Sequence, residues 1–67
     1  MKGNRLKGMI LYKDKTEAEI AAKLGISKRA MTDRITGRVE FTASEIKIIA
    51  QILELTYSEI NHIFFDE

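Results

Sequence analysis

Apolar residues recur along this chain in five short blocks, each with the three-to-four-residue spacing of an amphipathic helix and each bounded by a turn or cap signal. In the first block Leu6, Met9 and Ile10 share a face, with Lys13 at its edge and Leu11 and Tyr12 widening it. Asn4 is placed to cap this helix, which runs to about Lys13. Thr16 opens a second helix, with Glu19 three residues on to complete a capping box. Thr42 with Glu45 repeats the device at a fourth helix, about Ala43 to Glu54, and Thr56 with Glu59 at a fifth, Tyr57 to about Phe65. The fourth carries Ile46, Ile49, Ala50 and Leu53 on one face, with Ile48 and Ile52 beside them. That stripe is wider than one neighbour covers, so this helix is expected at the centre of the packing. The fifth offers Ile60, Ile63 and Phe64 to a core and turns Phe65 to another azimuth. There is no proline, and no stretch alternates long enough for a strand, although Arg38 to Phe41 can run extended. The expectation is one all-α, five-helix domain over residues 1–67. Gly8, in mid-helix, either marks a close backbone approach or sits exposed, since glycine there costs about 1 kcal/mol relative to alanine.

The second and third blocks form one unit, TEAEIAAKLGISKRAMTDRITG, from Thr16 to Gly37. Leu24-Gly25-Ile26-Ser27 places a residue tolerant of positive φ after one apolar-periodic segment and a serine N-cap before the next. Ala21, four residues before the glycine, leaves room for two helices to cross steeply. This reads as a helix-turn-helix, a device that holds one helix proud of the surface. On a third helix starting at Lys28, the side chains of Lys28, Arg29, Thr32, Asp33 and Thr36 share a polar face, while Met31 and Ile35 point inward. Arg29 can fork onto guanine O6 and N7, Lys28 can reach guanine or phosphate, and Asp33 can accept from a cytosine amino group. Lys23, Ser27 and Arg38 are placed for phosphates, which position a protein without reading sequence. The same face also suits plain solvation, and Asp33 can equally answer Arg29 at i,i+4. Arg34 lies opposite, where it is expected to bury its stem and pair with Glu40 or Glu45.

Composition sharpens this picture. The 67 residues are 45% hydrophobic, a sufficient share for a small packed domain near the lower size limit for an unaided core. Without cysteine there are no disulfides or thiolate metal sites, which suits a reducing compartment. No apolar run reaches the roughly 20 residues a bilayer span needs, so the expected location is cytoplasmic, at the nucleoid. The net charge of +1 conceals an asymmetry: residues 1–38 sum to +6 and residues 39–67 to −5. Such polarity turns the first half toward a polyanion, although an ordinary mixed surface gives the same total.

Ala21, Gly25 and Met31, with the stretches NRLKGMI, AEIAAKLGISKRAMTDRITGRVEFTASEI and INHIFF, resemble the lambda-repressor-like helix-turn-helix domains. The likeness is to the short Cro-like regulators of phages and prophages of Gram-positive bacteria. It implies an operator-binding transcription factor, commonly dimeric, with Lys28, Arg29, Thr32 and Asp33 at the positions of the family's base readers. Two residues depart from the pattern. Glu17 stands where the family often has a phosphate-reaching glutamine, and suits the helix dipole instead. Arg34 occupies a position usually small or apolar, with Ile35 taking its packing role.

Catalysis has little in its favour. His62 is alone, no carboxylates pair as acid and base, and no phosphate loop or metal-spaced cluster occurs, so no cofactor or metal is expected. The partners implied are double-stranded operator DNA and, through the surface of so short a domain, a weak homodimer. Ile48, Ile52, Phe64 and Phe65 are the candidate dimer or partner surface. The alternative is an antirepressor or modulator that keeps the fold as a scaffold and meets a phage repressor protein through its fourth and fifth helices.

Overall fold

Four hydroxyl side chains start four of the five helices. Thr16, Ser27, Thr42 and Thr56 each hold an extended backbone and accept a hydrogen bond from the amide three residues on, at 3.1, 3.0, 3.1 and 3.1 Å. The computed structural model describes residues 1–66 and contains α1 (Gly3–Tyr12), α2 (Glu17–Leu24), α3 (Lys28–Ile35), α4 (Ala43–Ile52) and α5 (Tyr57–Phe64), with no strand among the described residues. The caps at α4 and α5 are reciprocal. Glu45 and Glu59 each take back the amide of the capping threonine, at 2.9 and 2.8 Å. For Glu59, that amide bond keeps the carboxyl below its ordinary range. At Thr16 only half of the expected box forms, because the Glu19 carboxylate meets the Thr16 hydroxyl (3.3 Å) rather than its amide. Asn4 is not a cap at all: α1 begins two residues earlier than such a cap would allow, at Gly3 after Lys2, and no side chain caps it.

One closing motif recurs at the other ends. Asp14, Gly25, Gly37 and Glu54 all turn to positive φ, and each donates to the carbonyl three residues back while the next amide reaches back five. This left-handed turn stops α4 at Ile52, two residues short of the expected Glu54. It likewise stops α1 at Tyr12. Only two of the four positions are glycine, so at Asp14 and Glu54 the turn is held against a side-chain penalty.

Each helix then contributes two residues to one core. Leu6 and Ile10 come from α1, Ile20 and Ala21 from α2, Met31 and Ile35 from α3, Ile49 and the cap residue Leu53 from α4, and Ile63 and Phe64 from α5. Met9, Leu24, Ile26, Ile46, Ile52, Leu55 and Ile60 pack around it, half-buried. α2 touches both α3 and α4, and α1 lies along α5. The result is a compact all-helical domain of about 28 × 24 × 20 Å. Leu11 and Tyr12 do not widen the inner face of α1. They stand 75% and 80% exposed at the end of the helix, past the turn that meets the core.

Gly8 proves exposed, with no atom within 4 Å of where a Cβ would sit. The close approach is at Gly3 instead, where a Cβ would collide with the Ile35 carbonyl oxygen and lie 3.2 Å from Ile35 Cγ2. The start of α1 is thereby seated directly on the end of α3. Its Arg5 then reaches the last turn of α5, where the guanidinium donates to the His62 carbonyl at 2.7 Å and to Asp66 at 3.3 Å. The N-terminal ammonium adds a second contact to Asp66 at 3.4 Å. These bonds satisfy a helix-end carbonyl that has no partner within α5, and place positive charge at the negative pole of the helix.

Candidate nucleic-acid interface

The geometry of α3 follows from the turn that precedes it. Gly25 at φ 72° and ψ 29° lets its own amide and that of Ile26 close α2 on Ala22 and Ala21. Ser27 then restarts the chain as α3 without a spare residue. Ala21, 4% exposed, is buried in the core, and Met31 and Ile35 fix the inner side of α3 there. With those two anchored, the helical period turns Lys28, Arg29, Thr32 and Thr36 outward, all exposed, and leaves Asp33 half-exposed at the edge. The five residues expected on one polar face do lie together on it.

Their chemistry is more constrained than spacing alone reveals. Arg29, its side chain 77% exposed, donates from Nε to Asp33 Oδ1 at 3.3 Å. Asp33 is thus engaged with Arg29, and the terminal amino groups of the guanidinium remain open on the outer edge. That edge is the one able to fork onto a pair of acceptors. Thr36 turns its hydroxyl back to donate to the Thr32 carbonyl at 2.9 Å, so outward it offers lone pairs rather than a proton. Lys28 forms no ion pair among the described residues. Of the three residues expected beside phosphates, Lys23 and Arg38 are exposed on the chain flanking α3. Ser27 is exposed too, but its oxygen already serves as the α3 cap.

The rear of α3 is tied down by Arg34. Of its two expected partners it takes Glu45, donating from Nε to Oε1 at 3.0 Å, and it also donates to the Ala30 carbonyl at 3.1 Å. The two side chains are 16% and 14% exposed. Glu45 Oε1 simultaneously accepts the Thr42 amide, so a single carboxylate caps α4 and holds the end of α3. The Arg34 guanidinium beside it, aided by the Thr42 amide, lowers the Glu45 carboxyl below its ordinary value against the opposing effect of burial.

The sequence matches one described protein family across residues 3–67. The chain belongs to the DUF739 family. That family is described as "Protein of unknown function", and no curated protein and no solved structure matches the chain. In this DUF739 chain, no three His, Asp or Glu side chains converge among the described residues. Among the described residues, no helix is long and apolar enough to cross a membrane.

The residues expected at a dimer or partner surface divide. Phe64 is 6% exposed and meets Phe41 edge to face, with ring centroids 5.7 Å apart, so it closes the core and offers no surface. Ile48 and Ile52 are half-buried. Phe65 is 56% exposed, at the rim of a shallow apolar groove that Ile46, Ala50, Leu55 and Ile60 line between α4 and α5. Sequence reasoning passed over the start of α1, where Lys2, Asn4 and Lys7 stand exposed beside Thr36. Three cations within the first seven residues were the available signal.

Proposed function

We propose that this chain is a sequence-specific DNA-binding transcriptional regulator, a helix-turn-helix protein of the Cro and repressor type that inserts α3 into the major groove of an operator. The observation that carries this reading is the division of α3 between two faces. Met31 and Ile35 are buried, while Lys28, Arg29 and Thr32 face outward on a helix clamped at both ends. Arg29, held by Asp33, reads a guanine through its free amino groups. Lys28 and Thr32 complete the base-facing set, and Lys23 and Arg38 neutralise flanking phosphates. The excess of positive charge in residues 1–38 draws the duplex to this side, and the acidic remainder stays off it. The regulator acts on DNA in the cytoplasm, as a weak homodimer that needs no cofactor.

The test is a titration of isotope-labelled protein with a short duplex from the promoter beside its own gene, against a scrambled duplex, at several salt concentrations. Strong shifts across residues 28–36, preference for the native duplex and a slope of log K against log salt of about −6, as for a dimer touching about 6 to 8 phosphates, support the reading. Weak and equal shifts with both duplexes, erased by salt, overturn it.

The exposed Phe65 beside its apolar groove favours a second reading, in which the fold is a scaffold and α4 and α5 meet a repressor protein. In that case Phe65→Ala abolishes activity and Arg29→Ala leaves it intact.

A further inference from the structure

The first turn of α1 and the end of α3 enclose a cleft of about 450 Å³, lined by Lys2, Gly3, Asn4, Arg5, Lys7, Ile35 and Thr36. Its cations are not equivalent. Arg5 is committed to the His62 carbonyl and to Asp66, whereas Lys2 and Lys7 form no ion pair among the described residues. Asn4 and Lys7, three residues apart on the exposed side of α1, stand on one face of it. The cleft is therefore an uncompensated cationic surface with an amide beside it, suited to an oxyanion.

Its position is fixed rather than incidental. Gly3 packs against the Ile35 carbonyl more closely than any side chain would allow, which sets the start of α1 directly beside the end of α3. Thr36, the last residue of the outward face of α3, forms part of the cleft wall. α3 is eight residues long and ends at the cleft, so a duplex held on its outward face has its bordering phosphates near this end. We infer that this cleft clamps a backbone phosphate of the same duplex that α3 reads, through Lys2, Asn4 and Lys7. The inference rests on the DNA-reading function proposed above. It extends that interface to a segment more than 20 residues away from α3 in sequence.

The experiment compares the wild-type chain, a Lys2→Ala/Lys7→Ala variant and a Lys47→Ala control, the last removing a lysine from the acidic half. Binding to the native and scrambled duplexes is followed by fluorescence anisotropy across a salt series. Circular dichroism checks that all three proteins stay folded, which exposure of the altered side chains favours. The expected result is a weakening of the double variant by equal factors on both duplexes, with a salt slope smaller in magnitude by about 1 to 2 and the control unchanged. A second arm replaces single phosphates by neutral methylphosphonates. A phosphate beside the groove should lose at least threefold in wild-type affinity and nothing in the double variant. If the double variant keeps the wild-type slope, or loses as much as wild type at every replaced phosphate, the clamp is wrong while DNA reading stands. If wild type binds both duplexes weakly and equally, with the binding erased by salt, both fall.

Discussion

The contact between Arg34 and Glu45 makes a quantitative statement about how α3 is held. Both side chains are about one-sixth exposed or less and 3.0 Å apart. An exposed pair contributes about 0.2–1 kcal/mol, and a hydrogen bond to a charged group about 1.5–3 kcal/mol, so the coupling at this depth should lie at about 1–2 kcal/mol. The perturbations are Arg34→Met, which keeps the apolar stem, and Glu45→Gln, whose carbonyl still accepts the Thr42 amide. A double-mutant cycle by urea and thermal unfolding isolates the pair, and a domain of this length shifts by about 4–8 °C in Tm per kcal/mol. The pH dependence follows from the depressed carboxyl. Glu45 titrates lower in the folded chain than its ordinary 4.5, so its contribution is complete above that pH and is lost as pH falls through the folded value. The coupling should accordingly hold from pH 7 to pH 5 and weaken as pH is taken below 4.5. A coupling below about 0.5 kcal/mol at pH 7, or one that does not weaken below pH 4.5, refutes the reasoning.

Other substitutions separate the remaining ideas. Arg29→Ala should weaken operator binding by about 1–3 kcal/mol in anisotropy measurements while shifting Tm by under 3 °C, because its side chain lies outside the core. Arg5→Ala should destabilise the chain by about 1–2 kcal/mol and speed hydrogen exchange at the end of α5, where the His62 carbonyl would lose its partner. The two helical glycines of α1 should respond in opposite directions. Gly8→Ala should raise stability by about 0.5–1 kcal/mol, and Gly3→Ala should lower it by about 1–3 kcal/mol as the Ile35 carbonyl is forced away. Glu54→Gly should gain about 1 kcal/mol in chemical denaturation, since it removes a Cβ from a turn at φ 52°.

The helix count, four of the starts, the inward pair Met31/Ile35 and the small Ala21 were legible because each rests on local rules of spacing and capping. Asn4 misled because capping propensity is local, whereas α1 is set by a contact with Ile35 more than 30 residues away. No window around Gly3 announces that contact. Asp14 and Glu54 were opaque for a related reason: the left-handed turn is imposed by packing on both sides, and the side chain merely tolerates it. Spacing put Phe64 with Ile60 and Ile63 on the inner stripe and Phe65 on another azimuth, as the structure has them, whereas counting Phe64 in a partner surface as well was wrong. What spacing could not show is the Phe41 ring, brought in by the loop after α3, that covers Phe64 edge to face. The polar face of α3 survived intact because two buried anchors four residues apart determine the rest of a short helix.

The residues that hold α3 in place are separate from those on its outer face. The helix is held by two apolar residues, a serine cap, the glycine turn before it and one ion pair behind it. None of these uses Lys28, Arg29 or Thr32. Substitutions on the outer face should therefore change affinity or sequence preference with little loss of fold. Met31→Ala should cost about 2–5 kcal/mol and remove both together. A helix built this way can be respecified at its surface without rebuilding the frame that presents it, provided Asp33 is treated with Arg29 as one unit. Replacing Asp33 frees the arginine bonded to it, so under the proposed function Asp33→Ala should relax discrimination at the base assigned to Arg29 even where total affinity rises with the removal of a negative charge. A loss of affinity with discrimination unchanged would instead assign Asp33 a direct contact of its own.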